Sequence, residues 1–170
     1  MCCAHLMKKD GYDVRGVFVH YGQASATFEE KAAKEVAKQL NIPLHEVLIT
    51  SPDSGKFSSG EIRGRNLLLA SAAITFAPIE SGLVVLGVHA GTPYFDCSAV
   101  FLDELRNLVE NMSDGRFSLS APLINLEKPE IYDYLKNNRL CFESTYSCEA
   151  GILNGCGVCL SCQDRRALKN

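Results

Sequence analysis

Four cysteines near the C-terminus have the residue type and the spacing to hold a metal ion. Cys148, Cys156, Cys159 and Cys162 form two successive Cys-x-x-Cys steps with one more distant cysteine before them. Four thiolates can close a tetrahedral site and saturate zinc, although an iron–sulfur cluster would use the same ligands. The spacing therefore predicts one structural zinc ion per chain, with an iron–sulfur cluster or unliganded thiols as alternatives. A closed four-cysteine site does not by itself identify a reaction.

Three further segments place polar residues after predicted strands or before a predicted helix. Segment 20–23 (His-Tyr-Gly-Gln) follows one strand, segment 87–97 follows the most apolar strand, and segment 63–66 (Arg-Gly-Arg-Asn) precedes an apolar helix. Strand carboxyl ends in open α/β sheets face the ligand crevice, and guanidinium groups with helix N-terminal amides can bind phosphate. Each segment also has a plain interpretation. Segment 20–23 would be an ordinary turn, and segment 63–66 a solvated basic turn. In segment 87–97, His89 would be a core histidine and Cys97 an inert thiol.

Alternating helical and strand periodicities must position these residues. The sequence predicts helices from Cys2 to Gly11 and over 27–41, 67–76, 99–112 and 128–135, of which the helix over 67–76 is expected to be buried. It predicts strands over 14–20, 45–50 and 83–88, and a loop over 51–60. Thr27 and Glu30 offer a capping box for the second helix. This alternation predicts a doubly wound α/β fold with a mostly parallel sheet.

Composition excludes several classes of protein. The 170 residues are 46% hydrophobic, which is enough for a sizeable core and too much for a disordered chain. The longest clean apolar run, 83–88, is far shorter than the roughly 18 residues that a membrane helix needs. A net charge of −3 argues against broad nucleic-acid binding. With no export-signal pattern at the N-terminus, we expect a cytoplasmic protein whose cysteines stay reduced, with no membrane or nucleic-acid partner.

Taken together and in this order, the segments resemble the 7-cyano-7-deazaguanine synthase family of the PP-loop ATP pyrophosphatase superfamily. The resemblance runs from Met1 to about Leu168. It rests on Tyr-Gly-Gln at 21–23, Gly-Arg-Asn at 64–66, Tyr-Phe-Asp-Cys at 94–97, Lys128 and the four cysteines. Each short turn is unspecific, but the cysteine spacing combined with the order is specific. The resemblance implies an adenine nucleotide alpha hydrolase-like fold, with a nucleotide-binding domain over 1–140 and a zinc-binding segment over 141–170.

The resemblance also implies an activity, the ATP-dependent C–N ligation that makes the queuosine precursor. ATP with magnesium would convert the carboxylate of 7-carboxy-7-deazaguanine into an adenylate and release pyrophosphate. Ammonia would then give an amide, which a second ATP-dependent step would dehydrate to the nitrile. A homodimer is expected because members of the family form one. Two alternatives remain open: a PP-loop ligase acting on another carboxylate, and a zinc-stabilised binding module without catalytic activity.

The resemblance assigns roles to particular residues. Lys128, Arg65 and Asp96 would be catalytic, with the two cations holding phosphates and developing charge, and Asp96 contacting the substrate. Seven residues would bind the nucleotide and the base: Tyr21, Gln23, Arg63, Arg65, Asn66, Gly87 and His89.

The sequence departs from the family pattern in two places. The phosphate loop Ser-Gly-Gly-x-Asp-Ser should stand immediately before the first helix, and Met1 to Ala4 match the residues just after it. We expect the first strand and this loop to be encoded upstream of Met1; the alternative is a chain that cannot hold pyrophosphate in the usual way. The stretch before Asp96 is shorter than usual, lacks the expected acidic residue and has Phe95 at the usual proline. A paralogue with a related substrate would explain this second departure.

Overall fold

The structure is a computed structural model that describes residues 1–50 and 62–169. Its helices are α1 (Cys2–Lys9), α2 (Ala26–Leu40), α3 (Arg65–Phe76), α4 (Ala99–Met112), α5 (Lys128–Asn137) and α6 (Leu160–Ala167). Its strands are β1 (Gly16–His20), β2 (Leu44–Leu48), β3 (Gly82–Val85) and β4 (Phe117–Ser120). Single 3-10 turns lie at Phe95–Cys97 and Phe142–Ser144. The predicted loop over 51–60 lies outside the described residues.

The described strands form two parallel pairs. β1 pairs with β2, with Gly16 opposite Leu44, and β3 pairs with β4, with Gly82 opposite Phe117. Parallel neighbours need a crossover, and α2 connects the first pair while α4 lies between the strands of the second. The predicted α/β class with parallel strands is confirmed, although the described strands form two separate pairs rather than one sheet.

Helix α3 packs against both strand pairs. One core cluster joins Ala70 of α3 to buried residues of α4 and β4, among them Val109 and Leu119. A second cluster joins Ala72 of the same helix to Val19 of β1 and to β2. Because small alanines let the helix approach both pairs closely, α3 joins the two pairs through its packing.

The other predicted helices are confirmed, with corrections at two of them. Helix α4 occupies the predicted bounds, and the Ser98 hydroxyl accepts from the Phe101 amide as its N-cap. The prediction of Thr27 as the N-cap of α2 is wrong, because Ser25 is already helical and its carbonyl accepts from the amides of Phe28 and Glu29. The helix over 67–76 is not buried all round; it begins at Arg65 and leaves Phe76 half exposed.

The predictions of three strands were too long, and one strand and one helix were missed. The strand predicted over 14–20 begins only at Gly16, and the strand predicted over 45–50 runs from Leu44 to Leu48. The strand predicted over 83–88 ends at Val85, beyond which Leu86 and Val88 remain buried. Strand β4 and helix α6 were not predicted at all. None of the described helices is long and apolar enough to cross a membrane.

Candidate functional site

The four predicted cysteine ligands converge at the C-terminal end of the chain. All four Sγ atoms lie within 4.8 Å of one another, and those of Cys156 and Cys162 are 4.0 Å apart. Cys148 is buried, while Cys159 is the N-cap of α6 and Cys162 lies in its first turn. A tetrahedron with Zn–S bonds of about 2.3 Å has edges of about 3.8 Å, so the thiols need only small movements to enclose such an ion. This donor set fits a metal ion closed off from solvent.

Backbone amides favour the thiolate form of two of these cysteines. The amides of Cys156 and Cys159 each donate to the preceding thiol of the cluster, at 3.3 Å in both cases. Burial opposes ionisation of Cys148, but backbone N–H groups outweigh it and lower the pKa of this thiol to about 6. Backbone amides likewise lower the pKa of Cys156, whereas burial raises that of Cys162 to about 11. The positive charge of a bound metal ion would favour the thiolate form at all four positions.

Glycines let the backbone wrap closely around the thiols. Gly155 has a φ of +88°, and a Cβ at this position would lie 3.0 Å from the Cys162 Sγ. Gly151 has a φ of +64°, and a Cβ there would lie 2.1 Å from the Ala24 carbonyl oxygen. The cysteine segment therefore packs directly on the loop between β1 and α2, which also carries predicted site residues.

A cavity of about 680 Å³ opens between the two strand pairs. Its walls include Val17 to Val19 of β1 and Leu86 to Val88, which follow β3. Among the predicted site residues it brings together Tyr21, Gln23, Arg65, Asn66, Gly87, His89 and Lys128. Strand carboxyl ends thus meet the start of α3 and the start of α5 around one space, which is the position where open α/β sheets bind ligands.

Arg65 supplies positive charge on one side of the cavity. Its guanidinium lies near the Tyr21 hydroxyl and interacts favourably with it. Burial raises the pKa of Tyr21, and the nearby cation partly offsets this effect. The phenol therefore stays protonated, and the pair can present donors to an anionic ligand.

Asp96 is placed beneath the start of α3 instead of among the residues that line the cavity. Its carboxylate accepts from the Asn66 amide at 3.2 Å, and the Asn66 side chain donates to the Asp96 carbonyl oxygen at 2.7 Å. The amide of Asn66 is consequently occupied by a carboxylate of the protein. This amide is therefore not free for an anionic ligand, whereas the Arg65 side chain lines the cavity. Of segment 94–97, Tyr94 and Cys97 line the cavity.

Gln23 is held rigidly by a small polar network. Its side-chain amide donates to the Val19 carbonyl at 3.1 Å and to the Glu29 carboxylate at 3.0 Å, and its oxygen accepts from the Tyr21 amide. The Ser25 hydroxyl donates to the other oxygen of Glu29 at 2.8 Å. Gln23 thus orders the turn after β1, and Glu29 adds a carboxylate to the cavity wall.

One ring nitrogen of His89 is held by a backbone carbonyl. Its Nδ1 lies 2.6 Å from the Ala90 carbonyl oxygen. Since a carbonyl only accepts, Nδ1 carries the proton, and a neutral ring leaves Nε2 as an acceptor.

Lys128 and residues of the cysteine segment complete the cavity. Lys128 forms an ion pair with Asp164 of α6, and Glu149, Ser161 and Asp164 line the same space. The Ser161 hydroxyl donates to the Glu149 carboxylate at 2.8 Å. A second, mainly apolar cavity of about 460 Å³ adjoins it and shares Gly87, His89, Lys128, Ser161 and Asp164.

One predicted residue is not brought to the cavity, and several cavity residues were not predicted. Arg63 lies exposed in the turn before α3 and is not among the lining residues within the described part of the chain. Glu29, Glu149, Ser161 and Asp164 were missed. The Ser25-to-Glu29 spacing of one helical turn could have pointed to Glu29, but only the folded cysteine segment brings Glu149 and α6 to Lys128.

The fold and site define a parallel α/β protein with a cation-lined cavity at its strand ends and a four-cysteine centre beside it. A profile described as Queuosine biosynthesis protein QueC matches residues 50–169. The chain is 31% identical over 193 residues to the 7-cyano-7-deazaguanine synthase of Methanothermobacter thermautotrophicus, covering 96% of this chain and 86% of that protein. It is 27% identical over 196 residues to the enzyme of the same name from Methanobrevibacter smithii, covering 97% and 86%. The chain belongs to the queuosine biosynthesis protein QueC family.

Proposed function

We propose that the protein converts 7-carboxy-7-deazaguanine and ammonia into 7-cyano-7-deazaguanine at the expense of ATP. The observation that carries this proposal is the cavity in which Arg65, Tyr21, His89 and Lys128 converge at the strand ends. The relatives named 7-cyano-7-deazaguanine synthase support the same substrate class.

The chemistry explains why ATP is required. A carboxylate is a poor electrophile, so one of its oxygens attacks the α-phosphorus of ATP, and pyrophosphate leaves. Ammonia then attacks the acyl carbon, loses a proton and expels AMP to give the amide. A second ATP activates the amide oxygen in the same way, and loss of AMP and protons gives the nitrile. Magnesium would accompany ATP and neutralise its phosphates.

The charge and position of each residue indicate its role in this reaction. Arg65 at the start of α3 and Lys128 at the start of α5 both line the cavity as cations, suited to phosphate and to the charge that develops as AMP or pyrophosphate leaves. Tyr21, Gln23, Asn66, Gly87 and His89 would border the nucleotide and the base. Asp96 would act from beneath by holding Asn66, and Arg63, which does not line the cavity, would contribute only through its charge.

The cysteine site would hold one structural zinc ion per chain through four thiolates. Zinc would supply order to a segment that is poor in large buried side chains, and the closed donor set leaves no position for substrate. We assign residues 1–140 to the nucleotide-binding unit and 141–170 to the zinc-binding segment. A homodimer, with only small molecules as substrates and no nucleic-acid partner, completes the proposal.

A related ligase acting on another carboxylate is the second candidate. Phe95 stands where the family pattern has proline, and its side chain is 61% exposed. Because it lies in the chain between Tyr94 and Cys97, which both line the cavity, a different residue at this position would alter that wall and with it the choice of substrate.

The test is a product assay with the full-length protein as its gene encodes it. Magnesium–ATP and ammonium are supplied with 7-carboxy-7-deazaguanine or with a panel of other heteroaromatic carboxylates, and pyrophosphate and nitrile are measured. We expect pyrophosphate and the deazaguanine nitrile with the first substrate. Turnover of another carboxylate alone would favour the second candidate, and no pyrophosphate with any of them would indicate a binding module instead.

A further inference from the structure

The Lys128 backbone is held firmly while its side chain depends on one partner. Lys128 begins α5, where Pro129 follows it and the side chain of Glu130 accepts from the Glu127 amide at 2.7 Å. Four methylene groups separate this anchored backbone from the ammonium, so the cation needs a partner to define its position. That partner is the Asp164 carboxylate.

Asp164 lies on a helix that the metal site must hold in place. Helix α6 has no buried residue, and its first turn is formed by Cys159 as N-cap and by Cys162. Polar contacts of two residues also hold the helix: Arg165 donates to the Thr145 hydroxyl at 2.7 Å and to the Phe142 carbonyl at 2.9 Å, and Ser161 donates to the Glu149 carboxylate. Metal ligation by Cys159 and Cys162 would therefore act together with these contacts to set the position of the Asp164 carboxylate.

We propose that Asp164 is a positioning residue for Lys128, so that the metal-held helix α6 forms a working wall of the catalytic cavity. This inference rests on the proposed function for its catalytic consequence. Asp164 and Lys128 line both cavities together with Ser161. The carboxylate holds the ammonium toward the strand ends, where phosphate and leaving-group charge must be neutralised.

A purely structural role is a poor explanation of the pair. The side chains of Lys128 and Asp164 are 40% and 44% exposed. Ion pairs exposed to this extent contribute little to stability because solvent screens them. The pair at Lys136 and Asp133 on the outer side of α5 has the same chemistry, with 57% and 63% exposure, and provides a matched control away from both cavities.

The experiment compares Asp164→Asn, Asp164→Glu and the control Asp133→Asn in the full-length protein. We expect Asp164→Asn to lower kcat about tenfold or more with a smaller change in the KM for the carboxylate, while the zinc content and the melting temperature stay as in the parent. Asp164→Glu should recover most of the rate, and Asp133→Asn should match the parent. In a Lys128→Met background, Asp164→Asn should have no further effect, because Asp164 acts through Lys128.

A second readout does not require turnover. The rate at which an amine-acetylating reagent modifies Lys128, followed by mass spectrometry, should rise in Asp164→Asn and remain unchanged in Asp133→Asn. An unchanged labelling rate, loss of zinc from Asp164→Asn, or a parental kcat would each overturn the positioning role. A parent protein that labels as expected but turns over none of the carboxylates would instead refute the proposed function.

Discussion

Arg65 is the residue on which we expect nucleotide binding to depend most. The amide of Asn66 next to it is already bonded to Asp96, so the start of α3 offers less to an anion than a helix N-terminus usually does. We expect the Arg65 guanidinium, which lies near the Tyr21 hydroxyl, to supply the charge instead. At this scale the residue type and its place before a helix were predictable, but the occupied amide was not.

Replacing Arg65 with alanine should weaken ATP binding on the order of tenfold to a hundredfold, because a charge-assisted contact to phosphate is lost. The free energy of unfolding should change by less than about 1 kcal/mol, since the side chain is only partly buried. Isothermal titration with a non-hydrolysable ATP analogue measures the first and urea denaturation the second. Arg116→Ala, in the turn before β4, is the matched control. Equal ATP affinity in Arg65→Ala and the control would show that Arg65 is an ordinary turn residue without a role in ATP binding.

At the scale of elements, the sequence predicts the helices and strands that carry a clear apolar pattern of their own. Helix α4 was predicted to the residue because its apolar face repeats clearly and Ser98 caps it. Helix α6 was missed because it buries nothing, so its sequence carries no such pattern. Strand β4 was missed because it has only two inward residues, Phe117 and Leu119, after a turn. The convergence of the four thiols was predicted from spacing, whereas the approach of α6 to Lys128 depends on long-range packing.

The contact between the cysteine segment and the loop before α2 can be tested at Gly151. An alanine there must adopt a positive φ and would also collide with the Ala24 carbonyl oxygen. Gly115 has a similar φ of +74° with open space around it, so Gly115→Ala reports the backbone cost alone. We expect Gly115→Ala to cost about 1–2 kcal/mol and Gly151→Ala at least about 1 kcal/mol more, measured by urea denaturation. Equal costs would show that the two segments are not packed this closely.

Metal ligation should order α6 and leave the strand pairs unaffected. Cys159→Ser removes one thiolate but leaves a residue that is favoured at the N-cap of the helix, so any loosening reports the loss of the metal. We expect loss of zinc and faster hydrogen exchange over 160–167, with slow exchange retained in β3 and β4. The amine labelling of Lys128 should rise as well, because Asp164 moves with the helix. Elemental analysis and exchange mass spectrometry measure these effects. Cys141→Ser, an exposed cysteine outside the cluster, is the control; a zinc content in Cys159→Ser equal to that control would contradict the ligand assignment.

At the scale of the whole molecule, the site lies where three units meet, namely the two strand pairs and the cysteine segment. Helix α3 holds the two strand pairs side by side, and the cysteine segment closes the cavity from the side of α5. The order of elements predicted strand ends facing a crevice. It could not predict the pairing of strands or which polar residues of the cysteine segment reach the crevice, because both depend on contacts between residues far apart in the chain.

The most direct test of the account is the fate of the substrate's oxygen atoms. 7-Carboxy-7-deazaguanine labelled with ¹⁸O in both carboxylate oxygens is incubated with the full-length protein, magnesium–ATP and ammonium, and the products are separated by mass spectrometry. If the carboxylate and then the amide oxygen each attack the α-phosphorus, one ¹⁸O should appear in each of the two AMP molecules released per nitrile. Label in inorganic phosphate with ADP as the nucleotide product, or AMP without ¹⁸O, would contradict the adenylate route and the function built on it.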